Sequence, residues 1–153
     1  MQILVDADAL PGDAKAILFR AAERLRVFLV LVANKPLKVP HSAYLSSVVV
    51  GAGADIADDW IVERVQLQDL VITADIPLAS RVVAKGANAL DPRGDLYSEQ
   101  NVKEKLALRD LLSDLRGCDM LVGGGPATYT KKDSQKFACQ LDSYLSRHAP
   151  PRS

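Results

Sequence analysis

Six aspartates of this 153-residue chain have a spacing that suits chemistry. Asp6 and Asp8 stand two apart directly after an apolar run, Ile3 to Val5. Asp55, Asp58 and Asp59 follow a second run, Val48 to Val50, and Asp75 stands just past a third, Leu70 to Thr73. Two-residue spacing on an extended segment sends both side chains to one side, and positions i, i+3 and i+4 share a helix face. Two carboxylates about 4 Å apart repel by roughly 4 kcal/mol at an effective dielectric of 20. Four or more converging would cost an amount comparable with the ~5 to 15 kcal/mol stability of a whole domain. Either the groups stay apart, or some are protonated, or a divalent cation sits among them. Oxygen-only ligands without His or Cys select Mg²⁺ or Mn²⁺, ions that act mainly on phosphate oxygens.

The elements that must position these groups alternate strand and helix. Ile3 to Val5 reads as a first strand, and Pro11-Gly12-Asp13 opens a helix with Ala14, Ile17, Leu18, Ala21, Ala22 and Leu25 at 3 and 4 spacing. Val27 to Val32 is apolar throughout, as a strand covered on both faces should be. Val48 to Val50 is a third strand, followed by a helix from about Asp55 to Val65; Leu70 to Thr73 is a fourth strand and Pro77 to Lys85 its helix. Ala87 to Leu90 is a short fifth strand before the Asp91-Pro92-Arg93-Gly94 turn. Ser98 caps a helix to about Arg116, and Thr130 or Asp133 caps a last one to about Ser146. The expected fold class is α/β, a Rossmann-type three-layer sandwich with a mainly parallel sheet and a helical C-terminal third packed on it. In such a sheet ligands bind outside the carboxyl ends of the strands, which is where the aspartates collect. One domain over residues 1–153 is expected, with about 147–153 a disordered tail.

Composition narrows the function further. Of 19 acidic residues 15 are Asp and only 4 Glu, although Glu is the better helix former, so the excess belongs at caps, turns, strand ends or a site. Asp13 and Asp69 have ordinary helix-start and turn readings, and Asp55 alone would read as a helix cap. Net charge is zero, but residues 1–77 carry −3 and residues 78–153 carry +3, the polarity that a metal enzyme acting on a polyanion requires. Cys118 and Cys139 form no CxxC, His41 and His148 are isolated, and no triad or imidazole metal site is assembled. The cysteines are expected to be reduced and buried. No apolar run approaches the ~20 residues that cross a bilayer, and the first charge comes too early for a signal peptide; a cytoplasmic protein without a membrane partner is expected. Gly123-Gly124-Gly125-Pro126 lacks the ending of a phosphate-binding P-loop and reads as a tight loop.

Longer motifs add to this. The segments Asp6-Ala7-Asp8-Ala9, Val50 through Asp59, Asp69 through Ala79, Arg93 through Ser98 with Asn101, and Gly124-Gly125-Pro126 with Thr130 and Asp133 resemble the bacterial YaiI/YqxD family. The resemblance spans Met1 to about Asp142, with Leu10 where the family usually has Cys. That family is grouped with the PIN-like nuclease fold. The grouping implies an acidic pocket in which Mg²⁺ or Mn²⁺ activates water against a phosphodiester of nucleic acid, RNA before DNA. Carried over, Asp6, Asp55 and Asp75 are the catalytic acids, Asp8, Asp58 and Asp59 further metal ligands. Arg93, Lys131 and Lys132 are candidate phosphate contacts, with Arg81 and Lys85 weaker ones, and Tyr97 and Asn101 candidate nucleotide contacts. For each of these the plainer reading is a solvated charge, a packed tyrosine or a helix-cap asparagine. A homodimer is compatible with the sequence.

Two other functions compete. Asp6-x-Asp8 after a first strand, with Thr73 ending another, resembles the nucleophile motif of haloacid dehalogenase-like phosphatases. The order then fails, because Asp58-Asp59 precede the threonine and Asp75 stands alone after it. The other alternative is a non-catalytic nucleic-acid or protein binding module that keeps an acidic pocket.

Overall fold

The computed structural model describes residues 1–7, 10–51, 53, 55–116 and 129–148, with the backbone alone for 113–116. In chain order the elements are β1 (Gln2–Asp6), α1 (Gly12–Leu25), β2 (Phe28–Ala33), β3 (Leu45–Val49), α2 (Ile56–Arg64), β4 (Leu70–Ile72), α3 (Ile76–Ala84), β5 (Asn88–Leu90), β6 (Leu96–Tyr97), α4 (Glu99–Arg116) and α5 (Lys131–His148).

The strands form one sheet in the order β3-β2-β1-β4-β5-β6, parallel except for β6. Alternating side chains build two cores. Ile3, Val5, Leu29, Leu31, Leu70, Ile72 and Leu90 pack with Leu18 of α1 and with Phe137, Leu141 and Leu145 of α5. Leu4, Val32, Val71 and Ala89 face the opposite way, onto Ile61 of α2, Leu78 and Val82 of α3, and Val102 of α4. The result is the expected three-layer α/β/α sandwich, with the last two helices divided between the faces. Burying a Leu or Ile side chain fully contributes about 1.5 to 3 kcal/mol, so the fully covered Ile3, Leu4, Leu18, Leu29, Leu31 and Ile72 dominate the stability.

The order fixes where a ligand can sit. From β1 the chain moves outward through α1 to β2 and then β3; from β3 it crosses back through α2 to β4 on the other side of β1. Neighbouring connections leave β1 and β4 in opposite directions, which opens a crevice at their carboxyl ends.

Four expectations need revision. The third strand starts at Leu45, three residues earlier than its apolar run suggests, and ends at Val49, one earlier, because Ser46 and Ser47 pair with β2 as well as Val48 does. A sixth strand was not expected: after the Asp91–Gly94 turn, Leu96 and Tyr97 double back antiparallel on β5, and the Asp91 N–H donates to the Asp95 carbonyl at 2.8 Å. The last helix continues through His148, so 147 and 148 are helical, and 149–153 lie outside the described residues. Cys139 is exposed on α5, not buried. Cys118 and the Gly123–Pro126 segment lie outside the described residues, in which no helix is long and apolar enough to cross a membrane.

Candidate acidic site at the strand carboxyl ends

Asp6 is the last residue of β1, and β4 beside it ends at Ile72 with Thr73 next. Thr73 is buried, and its hydroxyl does two things. It donates to Asp6 Oδ2 at 3.1 Å and accepts the Asp75 N–H at 3.0 Å. One side chain therefore joins the carboxylate of β1 to the turn that carries Asp75.

Asp75 is also the N-cap of α3, its Oδ1 accepting the Leu78 N–H at 3.2 Å, with Pro77 in the first turn of the helix. Such a bond satisfies one of the four N–H groups that every helix start leaves open. The position of Asp75 thus has a structural explanation, a helix cap, beside the site role that its place after β4 suggests. Asp55 occupies the N-cap position of α2 but makes no side-chain cap bond there and is exposed.

Asp58 lies one turn into α2. Its carboxyl is pushed up to about 6, first by burial and then by repulsion from Asp75, Asp6 and Asp55, with Arg81 pulling the other way. Four carboxylates from three strand ends therefore share one field. Asp59 stands apart: it is exposed and paired with Arg81 at 2.9 Å. Asp8 lies outside the described residues. Among the described residues no three His, Cys, Asp or Glu side chains stand close enough together to hold a metal ion. The donor set fits a hard cation by its chemistry, all oxygen, but its described members do not form a closed set of ligands around one ion.

Asp91 belongs to the same rim and was not singled out from the sequence. It follows β5, beside β4, where the Thr73 N–H donates to the Leu90 carbonyl at 3.1 Å. Its carboxylate accepts the Arg93 N–H at 2.7 Å and the Tyr97 hydroxyl at 3.1 Å. The available signal was its place directly after an apolar run, the same signal that marked Asp6; the following Pro-Arg-Gly drew it into a turn reading.

The candidate substrate contacts divide. Tyr97 is buried, with its hydroxyl on Asp91 and the Lys105 ammonium 5.0 Å from the ring centroid; burial and the Asp91 charge push its phenol pKa well up. Asn101 closes a capping box: Oδ1 accepts the Ser98 N–H at 2.7 Å, the Ser98 hydroxyl accepts the Asn101 N–H at 3.2 Å, and Nδ2 donates to the Leu96 carbonyl. These two side chains hold β6 and α4 in place. Lys131 and Lys132 are exposed in the first turn of α5, whose entry is tied to the Asp91–Gly94 turn by the Tyr129 hydroxyl on the Pro92 carbonyl at 2.8 Å. Arg93 is half-buried in that turn. Arg93 and the two lysines thus flank the acidic rim on its β5 side. Arg81 is held by Asp59, and Lys85 donates to the Val62 carbonyl. Asp69, at the opposite end of the sheet, is the buried turn residue expected, accepting the Gln2 and Gln66 N–H groups.

The profile of the family described as "Uncharacterized BCR, YaiI/YqxD family" matches residues 4–147. A UPF0178 protein of Trichlorobacter lovleyi is 56% identical over 147 residues, covering 96% of this chain and 95% of that relative. One of Geobacter sulfurreducens is likewise 56% identical, over 96% of this chain and 97% of its own. A third, of Cupriavidus necator, is 51% identical over 151 residues, 99% of this chain and 97% of its own. No solved structure matches the chain. A match over nearly the whole length, with relatives above half identity, places the chain in the YaiI/YqxD family.

Proposed function

We propose that this protein is a Mg²⁺- or Mn²⁺-dependent phosphodiesterase acting on nucleic acid, with RNA ahead of DNA. The observation that carries the reading is the Asp6–Thr73–Asp75 link at the topological switch point with Asp58 in the same field. Repulsion of this kind, which Arg81 offsets only in part, is what a cation would relieve. Asp6, Asp58 and Asp75 would hold it, with Asp55 and Asp8 as further members. Mg²⁺ keeps several waters when it binds few carboxylates, which agrees with described acids that lie near each other without forming a closed ligand set. When bound, the ion supplies Lewis-acid stabilisation of the phosphate and a more acidic water. Arg93, Lys131 and Lys132 would bind phosphate on the β5 side, where they neutralise substrate charge next to the acidic rim.

A second reading has its own support. Asp75 caps a helix and no described trio is spaced to share an ion, which suits a binding module whose acids are structural. One assay separates the two: cleavage of a labelled single-stranded RNA by purified protein with Mg²⁺, Mn²⁺ or EDTA. Metal-dependent cleavage that disappears in Asp6→Asn and Asp75→Asn supports the enzyme. Binding without cleavage, unchanged in those variants, refutes it. A phosphoryl or beryllofluoride adduct on Asp6 would instead indicate a phosphatase.

A further inference from the structure

β3 is the outer strand of the sheet, and β2 is its one partner among the described residues. The Tyr44 carbonyl accepts the Leu29 N–H at 2.8 Å, and the Val50 N–H donates to the Ala33 carbonyl at 2.9 Å. Even-numbered positions therefore aim their backbone groups at β2. Alternation turns those of Ser47 and Val49, and the Leu45 carbonyl, outward, away from the sheet, while the Leu45 N–H is taken by the Ser42 carbonyl.

Proteins usually blunt such an edge with lysine, proline within the strand, or a bulge. β3 has none of these. Its register with β2 is unbroken from Leu45 to Val49. From Val39 to Ala54 the chain has no Asp, Glu, Lys or Arg, although 25% of all its residues are charged. Apolar surface marks both ends of this edge. At one end Phe28 is 57% exposed, its ring centroid 5.6 Å from that of Tyr44; at the other Val49 is 54% exposed.

The geometry points to a second copy of this chain as the occupant, its β3 laid antiparallel against this one about a two-fold axis at Ser47. That register sets Ser47 opposite Ser47, Leu45 opposite Val49 and Tyr44 opposite Val50. The aromatic end of each copy thereby meets the valine end of the other. Leu45 and Val49 share one face of the joined sheet and Tyr44 and Val50 the other, so both faces gain apolar cross-strand pairs. An uncharged strand meets no like charge across the axis, and an antiparallel self-pairing closes as a two-fold dimer with no free edge on this side. Ser47 and Val49 supply N–H and carbonyl groups for the new ladder, and Leu45 its carbonyl, since the Leu45 N–H donates to the Ser42 carbonyl at 3.4 Å. The interface does not use the acidic site and stands whether or not that site is catalytic.

The test is sedimentation equilibrium on the full chain over roughly 1 to 100 µM, the range in which a weak to moderate dimer is resolved. A mass of twice 16.5 kDa is expected for the wild type. Val49→Lys places a charge in the interface, at a side chain exposed in the monomer. Ser47→Pro removes an N–H that β2 does not use, a change that edge strands tolerate. Both variants should keep the wild-type circular dichroism spectrum and raise the dimer Kd at least about tenfold, which is 1.4 kcal/mol. If Ser47→Pro fails to fold, Val49→Lys decides alone. A wild type that stays monomeric at the highest concentration, or a dimer whose Kd is unchanged by Val49→Lys, overturns the proposal.

Discussion

The buried Thr73 hydroxyl donates to Asp6 and accepts the backbone N–H of Asp75, so two acids from different strand ends hang on one side chain. Removing that hydroxyl while keeping shape takes a hydrogen bond from each partner. An unsatisfied buried polar group costs about 1 to 3 kcal/mol. Thr73→Val is therefore expected to lower unfolding stability in urea by about that amount, and Thr73→Ser, which keeps the oxygen, by less than about 1 kcal/mol.

Asp58 gives the protein a pH signature. Its folded pKa, about 6, lies above the ordinary 3.8, so the fold prefers its protonated form. Below 3.8 the group is protonated folded or unfolded and costs nothing; between 3.8 and 6 the unfolded chain has released a proton that the folded one retains, and the cost builds until the folded carboxyl also ionises. Above that window the full cost applies. Because the side chain is only part-buried, solvent screening reduces it to about 1 kcal/mol. Asp58→Asn should be more stable than wild type at pH 7.5 in EDTA by about that amount, and not at pH 3.5. Thermal melts at the two pH values check it.

Asp75 combines a cap with a charge, and the two can be separated. Asparagine is as good an N-cap as aspartate, whereas alanine at such a position costs about 1 kcal/mol. Asp75→Asn should keep near-wild-type stability and lose RNA cleavage; Asp75→Ala should lose both. Equal activity in Asp75→Asn and wild type would leave the cap as the residue's whole role.

Gly94 lets α5 dock on the β5–β6 turn. Its φ is +97°, and an added Cβ would lie 2.6 Å from Lys136 Cγ and 2.8 Å from the backbone of Lys136 and Phe137. Phe137 is fully buried in the core and cannot shift cheaply. Gly94→Ala is expected to destabilise by about 2 kcal/mol or more, combining left-handed strain with a backbone clash. Denaturant titration against wild type measures it.

Local signals made much of the fold legible. Val27 to Val32 reads as a doubly covered strand because parallel sheets bury both faces, and the Ser98/Asn101 and Thr130/Asp133 boxes announce their helices through three-residue spacing. What was illegible is non-local. Two residues of β6 carry no period, and Ser46-Ser47 hide the start of β3 among polar positions. The acids after strands were visible, but their grouping depends on β4 lying beside β1, a crossover that no local window contains. Asp59 and Asp58 looked equivalent until the packing of α2 beside α3 gave Asp59 its Arg81 and left Asp58 facing Asp75 and Asp6.

The proposed acidic site joins Asp6, Asp58 and Asp75 around a divalent cation. Its most direct measurement is the Asp58 carboxyl pKa, followed by ¹³C NMR with and without saturating Mg²⁺. A value near 6 is expected in EDTA, falling toward 3.8 in Asp75→Asn and falling below 3.8 when Mg²⁺ is added to the wild type. A pKa that is ordinary from the start, or raised but unmoved by both the Asp75 substitution and the cation, would contradict it.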